Sequence, residues 1–222
     1  MSTQLELTAA DGHRVAAYRA DPTGTPRGAI VVVQEIFGVN SHIRSVVDRF
    51  AADGYVAIAP AMFDRVERGV DLGYTPDAIK RGRDLKAQIT TEWMTRDVEA
   101  AIANVAAAGK VALVGYCWGG FVTWMCAHHA KGLACAVDYY GSGTVENGDL
   151  RPRVPLMGHF SDHDGSLPTD KVQALASKHD NVQIFIYPAE HGFNCDVRGS
   201  YDAGAAKLAR ERTLQFFGQH IG

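Results

Sequence analysis

Six uninterrupted apolar runs constrain this chain more than any other feature: AIVVVQ (29–34), YVAIAP (55–60), VALVGY (111–116), ACAVDYY (134–140), VPLMGHF (154–160) and VQIFIY (182–187). A strand with one wet face alternates in polarity, so runs with no polar phase suit strands covered on both faces. Between them, apolar residues recur at three- and four-residue steps, as in Ile43, Val46, Val47, Phe50 and Ala51, or Val98, Ala101, Ile102 and Val105. That spacing marks helices with one apolar stripe. Strand then helix, repeated, predicts an α/β fold: a mostly parallel, doubly wound sheet flanked by helices. Ahead of the first run, Leu5 to Thr8 and Val15 to Arg19 flank Asp11-Gly12, which predicts an N-terminal antiparallel hairpin. The polar stretch from Met62 to Thr91, with Gly69, Gly73, Pro76 and Gly82, reads as a loop and then a helix near the mouth of any site. With 222 residues, 46% of them hydrophobic, residues 1–222 are read as a single domain able to bury its own core.

Charge and cysteine usage narrow the function classes. A formal net charge of −3 with both signs interspersed offers no basic field for a nucleic acid, so none is expected as a partner. No apolar run approaches the roughly 20 residues a membrane helix needs. The first residues, MSTQLELTAADGHR, lack a basic start followed by an apolar run, so a cytoplasmic location is expected. Cys117, Cys126, Cys135 and Cys195 form no CxxC pair and are read as thiols. A monomer or small homo-oligomer is expected.

One cysteine stands out. Gly115-Tyr116-Cys117-Trp118-Gly119 sits between an apolar strand and a helix-period segment, the G-x-nucleophile-x-G arrangement of a nucleophile elbow with cysteine in place of serine. The glycines are required because the turn is strained and a Cβ two residues either side would collide with the nucleophile or neighbouring backbone. The N-terminus of the following helix points at the sulfur and favours thiolate. The competing reading is a small buried core residue, which is how Cys126 and Cys135 are assigned.

A thiol nucleophile needs a base, and the base needs an acid to hold its tautomer. His191 follows the last apolar run, and Asp164 follows the one before it, each at the carboxyl end of a parallel strand where ligands bind. The order nucleophile, acid, histidine is that of α/β-hydrolases. Asp162 competes with Asp164, and local physics does not separate them. His128 and His129 read as ordinary helix residues. His159, Asp162, His163 and Asp164, or His191 with Cys195, could be imagined as metal ligands, but Pro188 and Gly192 argue against the helix the latter pair requires. Neither a metal nor a cofactor is expected.

These residues resemble the dienelactone hydrolases, α/β-hydrolases of the carboxymethylenebutenolidase type. The resemblance rests on GYCWGG and on VVVQEIFGVNSHIRSVVDRFAADGYVAIAP, and runs from about Ile30 to the helix containing ERTLQFF. It implies that Glu35 contacts the cysteine and helps generate thiolate when substrate enters, and that the amides of Ile36 and Trp118 form the oxyanion hole. It also supports Asp164 over Asp162 through the spacing to Pro168. It implies two substrate-gripping arginines. Arg81 is the candidate for the first, with Lys80 and Arg83 close enough to compete. Where the second is expected, four residues after His191, this chain has Cys195, and Arg198 lies nearby at a different spacing. The expected activity is cysteine-dependent opening of a small lactone or ester through an acyl-thioester, without cofactor. The Cys195 departure favours neutral substrates. The alternatives are a broader carboxylesterase and a non-catalytic ligand-binding member of the fold.

Overall fold

In the computed structural model, which describes residues 2–222, eight strands form one sheet in the order β1-β2-β4-β3-β5-β6-β7-β8. Strands β1 (Ser2–Thr8) and β2 (Arg14–Ala20) form the antiparallel hairpin. Its turn closes where the Gly12 amide donates to the Ala9 carbonyl with Gly12 at φ +83°. Strand β2 pairs antiparallel with β4 (Val56–Pro60), the only antiparallel join to the rest of the sheet among the described residues. From β4 onward, β3 (Ala29–Val33), β5 (Val111–Tyr116), β6 (Leu133–Tyr139), β7 (Leu156–Ser161) and β8 (Val182–Tyr187) are all parallel.

Side chains of a strand alternate between faces, and here both faces are dry. Ile30 and Val32 pack with α1 (Ser41–Ala52) and α6 (Ala203–His220), while Val31 and Val33 pack with α3 (Thr91–Val105) and α4 (Trp118–His129). Helices α2 (Pro76–Lys86) and α5 (Thr169–Lys178) add Leu85 and Leu175 to the second cluster. Every residue of β3, β4, β5 and β7 is buried, which is why those runs carry no polar phase. Strand β8 differs. It lies at the sheet edge and is half-exposed, and the Arg212 guanidinium covers its Phe185 ring at 4.2 Å. An arginine stem can cover apolar surface as a helix face does, so an edge strand can share the composition of a central one.

Two local features set up the site. Side-chain oxygens of Asn40, Thr75, Thr90 and Asp202 cap α1, α2, α3 and α6. Helix α4 has no side-chain cap: Cys117 occupies the cap position, so the free amides of its first turn face the sulfur. The second feature is the segment 61–75, which crosses above the β3–α1 connection. It is pinned by the Leu72 amide on the Phe37 carbonyl (2.8 Å) and the Asn40 side-chain amide on the Leu72 carbonyl (3.2 Å), so α2 lies over the carboxyl ends of the strands.

Glycine is demanded where α4 leaves β5. A Cβ on Gly115 would run into the Gly119 carbonyl, and one on Gly119 would run into the carbonyls of Val33 and Gln34. Backbone atoms cannot yield as a flexible side chain can, so Gly119→Ala should cost about 2 kcal/mol or more. A fall in the urea midpoint at unchanged denaturant slope checks this, and a midpoint equal to wild type would contradict the close approach of α4 to β3.

Candidate active site

Cys117 sits at the elbow with φ +55°, a conformation rare for a residue with a Cβ, and its amide is held on the Tyr139 carbonyl at 2.9 Å. The sulfur is almost wholly buried and opens onto a cavity of about 410 Å³ at the carboxyl ends of the strands. His191, from the loop after β8, borders the same cavity. Its Nδ1 lies 2.5 Å from Asp164 Oδ2, while the other Asp164 oxygen accepts from the Ser166 amide (3.0 Å) and hydroxyl (2.6 Å). Asp162 instead points to the surface, 3.6 Å from His163. The geometry therefore makes Asp164 the histidine's partner.

Electrostatics follow from these contacts. Burial disfavours the charged imidazole, but the bonds to Asp164 and Cys117 outweigh it and lift His191 to about 10. Burial likewise pushes Asp164 up, and the bonds from His191 and Ser166 more than reverse that. The pair is poised as imidazolium and carboxylate, with the cysteine sulfur as the third member. The Tyr140 ring stands edge-on to His191 with centroids 5.1 Å apart, limiting its rotation. Cys126 and Cys135 lie in the core, where burial pushes both thiols up to about 12.

The oxyanion candidates flank the sulfur. Trp118 opens α4, where first-turn amides have no acceptor within the helix, and its indole is fixed by stacking on Phe63 at 5.1 Å. Ile36 lies just past β3, with its side chain on the cavity wall. Beside it, Glu35 is 1% exposed, and its Oε1 accepts from Arg198 Nη1 at 3.2 Å.

The cations differ from expectation. Ile79, Arg83 and Lys86 of α2 line the cavity, four and three residues apart on one helix face. Arg81 projects elsewhere: it pairs with Glu67 and is half-exposed, so Arg83 takes the place expected of it. Lys80 pairs with Asp84 at the surface. Cys195 is fully buried, donates to the Tyr74 hydroxyl at 3.3 Å and does not border the cavity. Arg198 does. Successive turns, from the Cys195 amide to the Gly192 carbonyl and from the Arg198 amide to the Cys195 carbonyl, fold the loop back so that its guanidinium passes over Gly192 to reach Glu35. Arg198 reaches the cavity despite its different spacing, because residue spacing along an irregular loop says little about where its side chains end. The loss of a cation expected at position 195 is thus corrected: Arg83, Lys86 and Arg198 all border the cavity. The imagined four-residue metal cluster is dispersed, with His159 buried between Tyr187 and Thr213 and Asp162 and His163 at the surface.

A family profile described as the dienelactone hydrolase family matches residues 15–221. A Synechocystis sp. protein provisionally named carboxymethylenebutenolidase is 39% identical, over 92% of this chain and 91% of its own length. A Pseudomonas putida protein named carboxymethylenebutenolidase is 33% identical, over 96% and 94%. A crystal structure from Klebsiella pneumoniae, described provisionally as a dienelactone hydrolase, superposes with a TM-score of 0.87 at 30% identity and covers 99% of both chains. An esterase from Pyrococcus furiosus shares the fold at a TM-score of 0.69 and 14% identity, covering 100% of this chain and 94% of its own.

Because the imidazole is lifted from 6.5 to about 10 on folding, the stability it contributes is complete below pH 6.5 and is lost as pH rises through about 10. Asp164→Asn should reduce that alkaline loss and move the His191 titration, followed by 15N NMR, downward, with the Cys117 contribution remaining. Asp162→Asn should leave it in place. Equal effects of the two changes would move the acid away from Asp164.

Proposed function

The chain belongs to the dienelactone hydrolase family, hydrolases that act on ester bonds, and from that premise we propose that it opens a small, carboxylate-bearing lactone through a thioester on Cys117. The observation that carries this reading is one cavity bordered by Cys117, by His191 bonded to Asp164, and by the side chains of Arg83, Lys86 and Arg198. Its volume of about 410 Å³ suits a small molecule.

The Cys117 thiolate attacks the lactone carbonyl, and the amides of Ile36 and Trp118 bind the developing oxyanion. Collapse of the tetrahedral adduct breaks the ring C–O bond. The leaving oxygen takes the proton from the His191 imidazolium, and the acyl group stays on sulfur. Neutral His191, held in its tautomer by Asp164, then draws a proton from water as that water attacks the thioester. A second tetrahedral adduct collapses to the free acid, and the sulfur leaves as thiolate beside imidazolium. No step in this sequence calls on a metal or cofactor. Glu35 serves the resting enzyme: its carboxylate, held by Arg198, is the proton acceptor for the Cys117 thiol. A substrate carboxylate competes with Glu35 for the Arg198 guanidinium, which couples binding to activation of the sulfur.

Removal of the nucleophile leaves only binding and the oxyanion hole. Cys117→Ala should therefore lose at least about a thousandfold in turnover of an activated ester with its fold intact. Rapid quench and intact-mass measurement should show an acyl adduct on wild type that is absent from Cys117→Ala and present in Cys126→Ala and Cys135→Ala. Near-wild-type turnover in folded Cys117→Ala would end the proposal.

Anion recognition is tested by kcat/KM for a carboxylate-bearing lactone against its methyl ester. Losing a charge-assisted contact costs about 1.5–3 kcal/mol, so Arg83→Ala should lower the anionic-to-neutral ratio by roughly ten- to a hundredfold. Arg81→Ala should leave the ratio within about twofold, since an exposed ion pair is worth little. An unchanged ratio in Arg83→Ala would point to a neutral ester as the substrate.

A further inference from the structure

Next to Glu35, and outside the residues that border the cavity, lie two side chains that the hydrolytic cycle does not use. His42, on the first turn of α1, is 2% exposed, and Cys195, in the loop after His191, is fully buried. Their donor atoms, with a carboxylate oxygen of Glu35, lie within 4.8 Å of one another. Two polar atoms here are unsatisfied. Among the described residues, neither Glu35 Oε2 nor His42 Nε2 has a hydrogen-bond partner, although both are shielded from solvent. A buried polar atom without a partner costs about 1–3 kcal/mol, so two side by side call for an explanation.

The surroundings of His42 supply one. Its Nδ1 lies 3.0 Å from Asp196 Oδ1, and a carboxylate on Nδ1 makes that nitrogen the N–H. The lone pair then lies on Nε2, the ring nitrogen that has no partner. An imidazole fixed by a carboxylate on one nitrogen and presenting its lone pair from the other is the arrangement found behind metal-binding histidines. Arg198 occupies Glu35 Oε1 and leaves Oε2 free.

We propose that Glu35, His42 and Cys195 form a binding site for one zinc-class divalent ion, which holds the enzyme in an inactive state. One thiolate, one imidazole and one carboxylate select a borderline-soft ion such as Zn²⁺ or Co²⁺ over Mg²⁺ or Ca²⁺. Tetrahedral zinc holds such donors about 3.5 Å apart at bonds of about 2.0–2.3 Å, so the group contracts by roughly 1 Å around the ion. Binding breaks the Cys195 S–H bond, forms a metal–sulfur bond and releases one proton to solvent. Thiolate and carboxylate together match the ion's two positive charges, with Arg198 still on the other Glu35 oxygen and the Asp196 carboxylate behind His42. A fourth position stays open to water. The inhibitory consequence rests on the role proposed for Glu35, whose free oxygen the ion would occupy; the site itself does not.

The test uses full-length protein stripped with a chelator and titrated with Zn²⁺ alone or Co²⁺ alone. Wild type should retain one equivalent after gel filtration, and the cobalt adduct should show a near-ultraviolet thiolate-to-metal charge-transfer band. Cys195→Ala should lose that band. His42→Gln should weaken binding by at least about a hundredfold, and Asp196→Asn by ten- to a hundredfold, as loss of a supporting carboxylate does elsewhere. Cys117→Ala should keep both the equivalent and the band. Circular dichroism checks each fold, and Cys195→Ala, which removes a single buried atom beyond Cβ, carries the test if His42→Gln does not fold. No bound equivalent in wild type, or uptake indifferent to both ligand changes, would overturn the site. So would loss of the band in Cys117→Ala, which would place the ion on the nucleophile. Stoichiometric binding without inhibition would overturn the inactive-state half of the proposal and count against the role given to Glu35.

Discussion

The site depends on how closely α4 approaches the sheet. The chain turns from β5 into α4 at Cys117, with φ +55°, and the approach leaves no room for a Cβ at Gly115 or Gly119. A left-handed residue that is neither glycine nor asparagine costs of order 1–3 kcal/mol and persists only when its surroundings over-determine it. Here they do. The Cys117 amide is tied to the Tyr139 carbonyl, and Trp118 is clamped on Phe63. The strain lifts the sulfur out of the strand, places the amides of the first turn of α4 around it and leaves the thiol at the floor of the cavity.

Around that fixed sulfur, two carboxylates do different work because their partners differ. Asp164 is bonded to the imidazole and to Ser166, and stays ionised to keep His191 charged. Glu35 is bonded through one oxygen to Arg198, a cation that also borders the cavity. The Arg198 guanidinium lies 5.8 Å from the Phe37 ring centroid and 5.9 Å from that of Tyr74, so aromatic faces help hold it in place.

Much of this was legible in the residues. The apolar runs anticipated every parallel strand to within two residues, because burial on both faces removes the polar phase from the central strands and the Arg212 stem covers the Phe185 ring of edge strand β8. The glycines of GYCWGG marked the elbow, since a steric demand at fixed offsets from one residue is a local property. The order of Cys117, Asp164 and His191 followed from strand ends, which a parallel sheet gathers on one edge.

What sequence alone could not decide were the questions answered by direction in space. Asp162 and Asp164 differ by two residues in one turn, and only the path of the chain from β7 to α5 shows which carboxyl meets the imidazole. Arg81 and Arg83 differ by two residues on one helix, and only the packing of Gly82 against the Ile36 carbonyl fixes which face α2 turns to the cavity. Cys195 and Arg198 exchange their expected places because the loop after His191 coils back on itself, burying the thiol and returning the guanidinium to Glu35. Sequence determined the strands, the elbow and the residue type at its tip, because these rest on local sterics and on period. Tertiary structure decided which acid meets the imidazole and which cations border the cavity, because charge acts through distance, and distances between loops are set only when the layers pack.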